Sequence, residues 1–281
     1  MRPCRSMLYI PGSKARALDK AVALPADAVI FDLEDAVAPA GKVAARDGLA
    51  QALARLDYGT RRRLVRVNGL DTAWGRDDIA AFADHPGVDA LLVPKVGRAG
   101  DLAAVAALAP GKPLWAMMET PLGMLNAGEI AGHPAVAGMV LGTNDLAKEL
   151  GCRFRADRLP LLAGLGLCLL AARARGLVIV DGVYNAFDDA AGLQVECEQG
   201  RDMGFDGKSL IHPAQIEIAN AVFAPSVAEL VLARRQIAAF DAAGQGVAVV
   251  DGRIVENLHI VTAQTLLAKA AAIAALEGGV E

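Results

Sequence analysis

The amino-acid sequence predicts a (β/α)8 TIM barrel with a C-terminal helical extension. Apolar runs with β propensity alternate with alanine-rich helical patterns roughly eight times over the first ~220 residues, which is the repeat of a barrel of parallel strands. The runs are apolar throughout, as expected for strands that helices cover. A doubly wound open sheet is the alternative, but no GxGxxG turn follows the first run.

The barrel strands are expected where an apolar run ends in a polar group or a turn. In chain order they cover residues 5–12, 27–35, 63–68, 89–95, 113–119, 138–145, 177–183 and 207–213. Helices fill the gaps between them. Ser13 is the expected N-cap of a helix over 13–24, and Gly204 ends a helix that aspartates open at 188. These units place the barrel domain at residues 1–222.

The remaining residues, 223–281, lie outside the repeat. Ala224-Pro225 precedes a helical pattern that runs to about Phe240, a Gly-rich turn covers 244–253, and a second helix is expected through residue 275. We expect this extension either to cap its own barrel or to reach a neighbouring subunit and contribute to that subunit's active site.

Composition and charge exclude several classes of protein. The net charge is −4 and the isoelectric point is near 5.6. The sequence has no basic run interleaved with aromatic residues, which is the pattern expected of a nucleic-acid-binding protein. The four cysteines lie far apart without metal-ligand spacing, which predicts free thiols in a reducing compartment. Arginines and glycines interrupt the most apolar stretch, residues 159–180, so it is not a membrane span. We expect a cytoplasmic protein.

Two carboxylates, Glu119 and Asp145, stand where apolar runs end. In a parallel barrel these positions lie at the same rim, where catalytic groups collect. Two partly desolvated carboxylates repel each other unless a proton or a cation lies between them. A hard divalent cation is the simplest compensation, and Mg²⁺ prefers such oxygen ligands together with water and substrate oxygens. The pattern therefore predicts metal-assisted chemistry.

Other polar residues end the predicted strands. Arg66 offers a planar fork for a substrate carboxylate, or it forms a structural ion pair with Glu34 or Asp35. Glu34 and Asp35 are expected to hold metal-bound water. Gly142 lacks a side chain that would obstruct a bound carboxylate, and the backbone amides of residues 143–145, including Thr143 and Asn144, follow it directly.

The motifs together resemble a known family. They are RSMLYIPGSKARALDKA, AVIFDLEDAVAP with Lys42 and Arg46, VRVN, LLVPK, METPLGMLNAGEI, GTNDLAKELG and GFDGKSLIHPAQI. At these spacings the chain resembles the citrate lyase β-subunit family over essentially its whole length. That family belongs with the HpcH/HpaI-type aldolases and includes malyl-CoA, citramalyl-CoA and β-methylmalyl-CoA lyases.

The resemblance implies a barrel that assembles as a homotrimer or hexamer and binds Mg²⁺, with Mn²⁺ as a substitute, on Glu119 and Asp145. It implies that Arg66 binds the 2-oxo acid. Four basic residues would lie near the CoA nucleotide, unless they are ordinary surface charges: Arg5, Lys14, Arg16 and Lys42.

One segment departs from the family pattern. Many relatives carry DG-x-M-(I/V)-D-x-P near the C-terminus, and its last aspartate enters a neighbouring active site as an acid or base. Here residues 251–259 are DGRIVENLH, so Glu256 replaces the aspartate and moves the carboxylate by one methylene. This variant is similar to the branch that includes malyl-CoA thioesterases. Glu256 is nevertheless the candidate proton shuttle.

The predicted activity is Mg²⁺-dependent carbon–carbon cleavage of a 3-hydroxyacyl-CoA such as malyl-CoA or citramalyl-CoA. The products would be acetyl-CoA or propionyl-CoA and glyoxylate or pyruvate. One alternative is hydrolysis of malyl-CoA at the same Mg²⁺ site, and a second is a citryl-ACP lyase β subunit. A third, from another class, is a catalytically silent barrel that serves as a scaffold.

Overall fold

A computed structural model describes residues 2–244 and 246–278 of the chain. Eight parallel strands form a closed barrel in which each strand pairs with the next and the eighth pairs with the first. This confirms the predicted TIM barrel.

All eight predicted strands are present, but most end earlier than the apolar runs suggested. The strands are β1 (Ser6–Pro11), β2 (Ala28–Asp32), β3 (Arg62–Arg66), β4 (Ala90–Val93), β5 (Leu114–Met118), β6 (Val136–Leu141), β7 (Val178–Asp181) and β8 (Gly207–Leu210). Several of the predicted rim groups consequently lie in the loops and helices that follow the strands.

Helices surround the barrel and continue into the extension. They are α1 (Ala15–Ala21), α2 (Lys42–Arg55), α3 (Gly75–Phe82), α4 (Ala99–Leu108), α5 (Pro121–Leu125), α6 (Ala127–Ala131), α7 (Thr143–Leu150), α8 (Leu162–Ala174), α9 (Ala190–Met203), α10 (Ile216–Phe223), α11 (Val227–Ala242) and α12 (Asn257–Glu277).

The structure tests the predicted caps of two helices, α1 and α9. The prediction that Ser13 caps the first helix is wrong, because Lys14 occupies the N-cap of α1 and makes no side-chain cap. At α9 the predicted aspartate cap and the predicted glycine end are both confirmed. Asp189 accepts a hydrogen bond from the Gly192 amide as N-cap, and Gly204 ends the helix at φ 108°, a conformation that favours glycine.

Strand alternation divides the core into two layers. Inside the barrel, Met7, Leu64, Trp115 and Val140 pack together, whereas residues of opposite parity pack outward against the helices. Asp32 and Arg66 have the parity of the inner residues, with Ile30 and Leu64 two positions before them. They therefore point into the carboxyl end of the barrel.

The extension contains a hairpin that the sequence interpretation missed. Within the predicted Gly-rich turn, β9 (Ala248–Val250) and β10 (Arg253–Val255) form a two-stranded antiparallel sheet. Asp251 and Gly252 between them both have positive φ, 52° and 73°. A DG pair flanked by β-branched residues is a strong hairpin signal, so the sequence did contain the evidence.

Two helical stretches, Pro213–Ala242 and Asn257–Glu277, are long and apolar enough to cross a membrane by length and composition alone. The first is not one continuous helix, because Ala224 between α10 and α11 is extended. One or two such stretches are weak evidence for a membrane span. Cytoplasmic location and the absence of a membrane partner stay predictions.

Candidate functional site

A central cavity of about 390 Å³ opens at the carboxyl end of the barrel strands. The structure brings seven of the predicted site residues into its lining: Asp35, Arg66, Glu119, Gly142, Thr143, Asn144 and Asp145. The other eight lining residues were not predicted as site residues, and they include Tyr9, Asp32 and Met117. Along β1, β2 and β5 these three side chains have the parity of the inward-facing residues.

Glu119 is the most deeply buried acid of this cavity. It directly follows β5, its side chain is only about 1% exposed, and its Oε1 accepts a hydrogen bond of 2.8 Å from the Lys95 backbone amide. Burial raises the pKa of this carboxyl to about 7, and the charges of Glu34 and Asp145 act in the same direction. The carboxylate therefore lacks sufficient compensating positive charge within the chain.

Gly142 makes room for this carboxyl group. A Cβ atom at position 142 would lie 2.4 Å from both Cβ and Oε2 of Glu119, which is closer than real contacts permit. The absence of a side chain at Gly142 thus serves the packing of Glu119 first, rather than the approach of a substrate alone.

Asp145 reaches the cavity from a helix, which corrects its predicted position at a strand end. β6 stops at Leu141, and Asp145 lies half-buried in the first turn of α7. Gly142, the N-cap, provides no side-chain cap to the amides of this turn. Backbone N–H groups and the helix dipole at such an end favour an anion.

The donor set fits a hard cation. Glu119 and Asp145 both line the central cavity and would supply two carboxylate ligands. Within residues 2–244 and 246–278 no group of three or more His, Cys, Asp or Glu side chains is arranged to hold a metal. An octahedral cation that keeps water and substrate oxygens in its remaining positions matches two protein ligands. Burial raises the pKa of Glu119, and a bound cation would favour its ionised form.

Arg66 already pairs with two carboxylates through part of its five N–H groups. Its Nε and Nη2 donate to the two oxygens of Asp32 at 2.8 and 2.6 Å, and Nη1 lies 2.8 Å from Glu34. Lys95 donates through its ammonium to Glu34 on the other side. We call Asp32, Glu34, Arg66 and Lys95 the inner cluster. The ion pair with Glu34, an alternative from the sequence, is present, and Asp32 is the bidentate partner that the sequence did not identify.

Two of the acids in this region titrate as a pair. Burial raises the pKa of Glu34, whereas burial of Asp35 is outweighed by its hydrogen bond with Glu34 and by the charge of Arg66, so the pKa of Asp35 is lowered. Asp35 is exposed and lines the central cavity, and Glu34 is buried beside it. Asp35 therefore presents an ionised carboxylate at the edge of the central cavity.

The structure corrects the position of Arg5. Arg5 precedes β1 and lies at the amino end of the barrel, a full strand length from the central cavity. There it is buried and pairs with Asp27 at 2.8 Å and with Glu277 of α12 at 3.0 Å. Its charge holds the bottom of the barrel to the extension and is not available to a nucleotide at the mouth.

The other basic residues predicted near a nucleotide differ in availability. Lys42 is buried, and its ammonium donates to the carbonyls of Leu33 and Glu34 at 2.8 and 2.6 Å, so it mainly fixes the loop after β2. Lys14 and Arg16 are exposed just after β1, at the same end of the barrel as the cavity. These two remain candidates for binding phosphate groups.

Glu256 does not join the central cavity of its own chain. It is exposed, at the N-cap of α12, and its backbone amide donates to His259 at 3.0 Å. Asn144 is also partly engaged, since its side chain exchanges hydrogen bonds with Asn185 at 3.0 and 2.8 Å. Its backbone amide remains in the first turn of α7.

A second group of buried charges lies outside the strand wall, beside α9. Lys208 donates to Asp181 and Glu196 at 3.2 and 2.7 Å, and Arg158 donates to both oxygens of Asp181 at 2.8 and 2.6 Å. We call Arg158, Asp181, Glu196 and Lys208 the outer cluster. Nothing in the sequence pattern joins Asp181 to Arg158 or Glu196.

Comparison with known proteins shows what the chain is similar to. The sequence profile of the HpcH/HpaI aldolase/citrate lyase family matches residues 5–213. A (3S)-malyl-CoA thioesterase of Cereibacter sphaeroides is 71% identical over 97% of this chain and 96% of its own length. An L-malyl-CoA/beta-methylmalyl-CoA lyase of the same species is 33% identical over 98% of this chain and 96% of its own length.

A solved structure agrees with both the fold and the family. The crystal structure of protein CitE from Mycobacterium tuberculosis in complex with magnesium, acetoacetate and coenzyme A superposes with a TM-score of 0.83 and 34% sequence identity. The match covers 96% of this chain and 100% of that one.

Proposed function

This chain belongs to the HpcH/HpaI aldolase/citrate lyase family, and from that premise we propose that it hydrolyses a malyl-CoA-type thioester to malate and free CoA. The observation that carries the proposal is the 71% identity, over nearly the full length of both chains, to a (3S)-malyl-CoA thioesterase. Identity to the lyase is 33%. Hydrolysis, the alternative in the sequence interpretation, therefore takes precedence over carbon–carbon cleavage.

Glu119 and Asp145 would hold Mg²⁺, or Mn²⁺ as a substitute. The CitE structure that contains magnesium supports this assignment, as do the two uncompensated carboxylates of the central cavity. When bound, the cation supplies positive charge that polarises a substrate oxygen and orients the substrate.

The distal carboxylate of the substrate would bind between Arg66 and the first turn of α7. Arg66 carries a buried positive charge at the cavity wall, and the backbone amides of residues 143–145 lie in the same lining. These donors are fixed by the barrel and by the Asp32 pair, so they need little rearrangement to receive an anion.

The thioester arm would leave the central cavity past Asp35. A second cavity, of about 680 Å³, also has Asp35 in its lining and contains Trp74, Leu70 and Lys95. This volume suits a flexible arm with apolar and amide groups. Lys14 and Arg16 would bind the phosphates beyond it by charge attraction.

Hydrolysis would begin when water attacks the thioester carbon while Asp35 accepts a proton from that water. The carbon–sulfur bond then breaks, and the CoA sulfur leaves with the proton that Asp35 accepted. The lowered pKa of Asp35 favours its ionised form, which can accept the proton from water. Asp35 is also the residue that borders both cavities, where the thioester would lie.

A product assay separates hydrolysis from cleavage. Purified enzyme is incubated with malyl-, citramalyl- and methylmalyl-CoA, with and without Mg²⁺, and malate, free thiol and glyoxylate are measured. Malate and thiol in equal amounts without glyoxylate support the proposal. Glyoxylate and acetyl-CoA without free malate would establish the lyase instead, the candidate that the 33% identical relative favours.

Glu256 would take part only if a second copy of the chain supplies it. Its exposed position at the N-cap of α12 supports the proposal that the extension reaches a neighbouring barrel in a trimer or hexamer. Sizing by light scattering tests the assembly. Mixing the Glu256→Ala and Glu119→Gln chains tests sharing: activity recovered in mixed oligomers requires that the two residues act in one site from different chains.

A further inference from the structure

A third cavity lies beside the central one, on the side of β6 and β7. This side cavity has a volume of about 440 Å³ and shares Thr143 and Val183 with the central cavity. Most of its wall comes from the loop between α7 and α8 and from the segment that follows β7. The polar and aromatic residues that matter below are Arg153, Phe154, Arg155, Arg158, Tyr184 and Glu196.

Arg158 is the buried side chain on which this cavity is built. It is only about 4% exposed, its Nε donates to Gln199 at 2.6 Å, and its Nη1 donates to both oxygens of Asp181. Its Nη2 is buried and has no hydrogen-bond partner in the part of the chain that the structure describes. A buried donor without a partner is unfavourable, so an acceptor that enters the cavity and reaches Nη2 would stabilise the site.

The backbone at Arg158 is also unusual. Its φ is 53°, in the left-handed region that a long side chain rarely adopts. This conformation directs the guanidinium beneath the end of β7, where it meets Asp181. The chain therefore tolerates strain at the same residue that carries the unpaired donor.

The charges around the cavity leave an excess of positive charge at its entrance. In the outer cluster, Arg158 and Lys208 balance Asp181 and Glu196. Arg155 at the rim is paired with Asp157 at 2.6 Å. Arg153 is exposed, and among the described residues no carboxylate lies within 4.0 Å of it.

We propose that the side cavity is a binding site for an oxyanion, either a carboxylate or a phosphate group, held between the buried Arg158 and the exposed Arg153. Planar guanidinium groups donate hydrogen bonds to both kinds of anion. Glu196 does not repel the anion strongly, because Lys208 already compensates its charge at 2.7 Å. The site is separate from the Glu119 and Asp145 pair and does not depend on the proposed hydrolysis.

Calorimetric titration of the full chain tests this site with two probes, inorganic phosphate and succinate. Saturable binding of at least one probe is expected, and the responding probe identifies the anion class. Arg153→Ala and Arg158→Lys should each weaken that binding at least about tenfold, because the first removes the exposed guanidinium and the second removes the unpaired Nη2 donor of Arg158. Arg153 is exposed, so its removal should not impair folding if Arg158→Lys does.

Two matched variants locate the binding. Arg234→Ala removes an exposed arginine of α11, and Glu119→Gln alters the central cavity; both should bind the probe as the unchanged chain does. The proposal is overturned if neither probe binds, if Arg153→Ala binds like the unchanged chain, or if Glu119→Gln abolishes binding, since the anion then occupies the central cavity.

Discussion

The inner and outer clusters lie near the same end of the barrel but on opposite sides of its strand wall. In the outer cluster two cations and two carboxylates pair with one another at 2.6 to 3.2 Å. In the inner cluster Arg66 and Lys95 compensate Asp32 and Glu34. Among the described residues, Glu119 beside the inner cluster accepts a hydrogen bond only from the Lys95 backbone amide.

The pKa values of one acid from each region, Asp181 and Glu119, shift in opposite directions. Burial raises the pKa of Asp181, but the charges of Lys208 and Arg158 outweigh it, so its pKa is lowered. Burial raises the pKa of Glu119 to about 7, and Arg66 does not overcome it. A fully paired acid serves the fold, whereas a desolvated acid without a cation indicates the place where function supplies one.

Glu119→Gln should have the largest effect, and in opposite directions on activity and stability. Loss of the carboxylate should reduce kcat/KM with Mg²⁺ by about 10³-fold or more, since metal charge stabilisation contributes several kcal/mol. The fold should become more stable above pH 7, by at most about 3 kcal/mol.

The sign of the stability change follows from linkage. Folded Glu119 keeps a proton up to a pKa of about 7, whereas the unfolded chain releases it near its ordinary value of 4.5. Without metal, stability is therefore fully present below pH 4.5 and is lost as pH rises to 7. Urea unfolding at pH 5 and pH 8 measures this difference. Equal stability losses in the variant and the unchanged chain between these pH values would contradict the assignment.

Lys208→Met should test the outer cluster as a structural unit. Removing one partner of a buried network leaves Asp181 and Glu196 undercompensated and should lower the free energy of unfolding by about 3–5 kcal/mol. Activity per folded molecule should not change. Arg201→Ala, which breaks an exposed pair with Asp202, is the control and should cost less than about 1 kcal/mol. A large fall in kcat of folded Lys208→Met would assign the outer cluster a catalytic role.

Gly142→Ala should disturb Glu119 without altering its chemistry. The new Cβ would lie 2.4 Å from the Glu119 carboxyl oxygen, so the side chain must move, and a displacement near 1 Å costs about 10²-fold in rate. Gly128→Ala on α6 is the matched control, because nothing lies within 4 Å of its Cβ position. Comparable kcat values for the two variants would mean that the position of Glu119 is not critical.

Arg66→Lys should have the smallest effect of the series. The bidentate pair with Asp32 is lost while the charge remains, so KM should rise about tenfold with a smaller change in kcat. Arg63→Lys, on the same strand and paired with half-buried Asp89, serves as the control. If KM is unchanged, Arg66 supports Asp32 and Glu34 rather than the substrate.

Much of the barrel was predictable because its signals are local. Repeated apolar runs gave all eight strands, and Asp189 and Gly204 marked α9 correctly. Strand-end reasoning also identified Arg66, Glu119 and Asp145, which the structure gathers around one cavity. The positions of Arg5 and Lys42 were less predictable, because a basic residue near a motif carries no signal of whether a carboxylate or a carbonyl already binds it.

By itself the sequence determined the eightfold repeat, the family and the acids at the mouth, since these depend on periodicity and on motifs within a few residues. Only the tertiary structure decided that Asp32 occupies the Arg66 fork, that Gly142 accommodates Glu119, and that Arg158 reaches Asp181. Each of these contacts joins different elements across the barrel or its wall. Strand register and the path of the loops set such distances, and a local sequence pattern predicts neither of them.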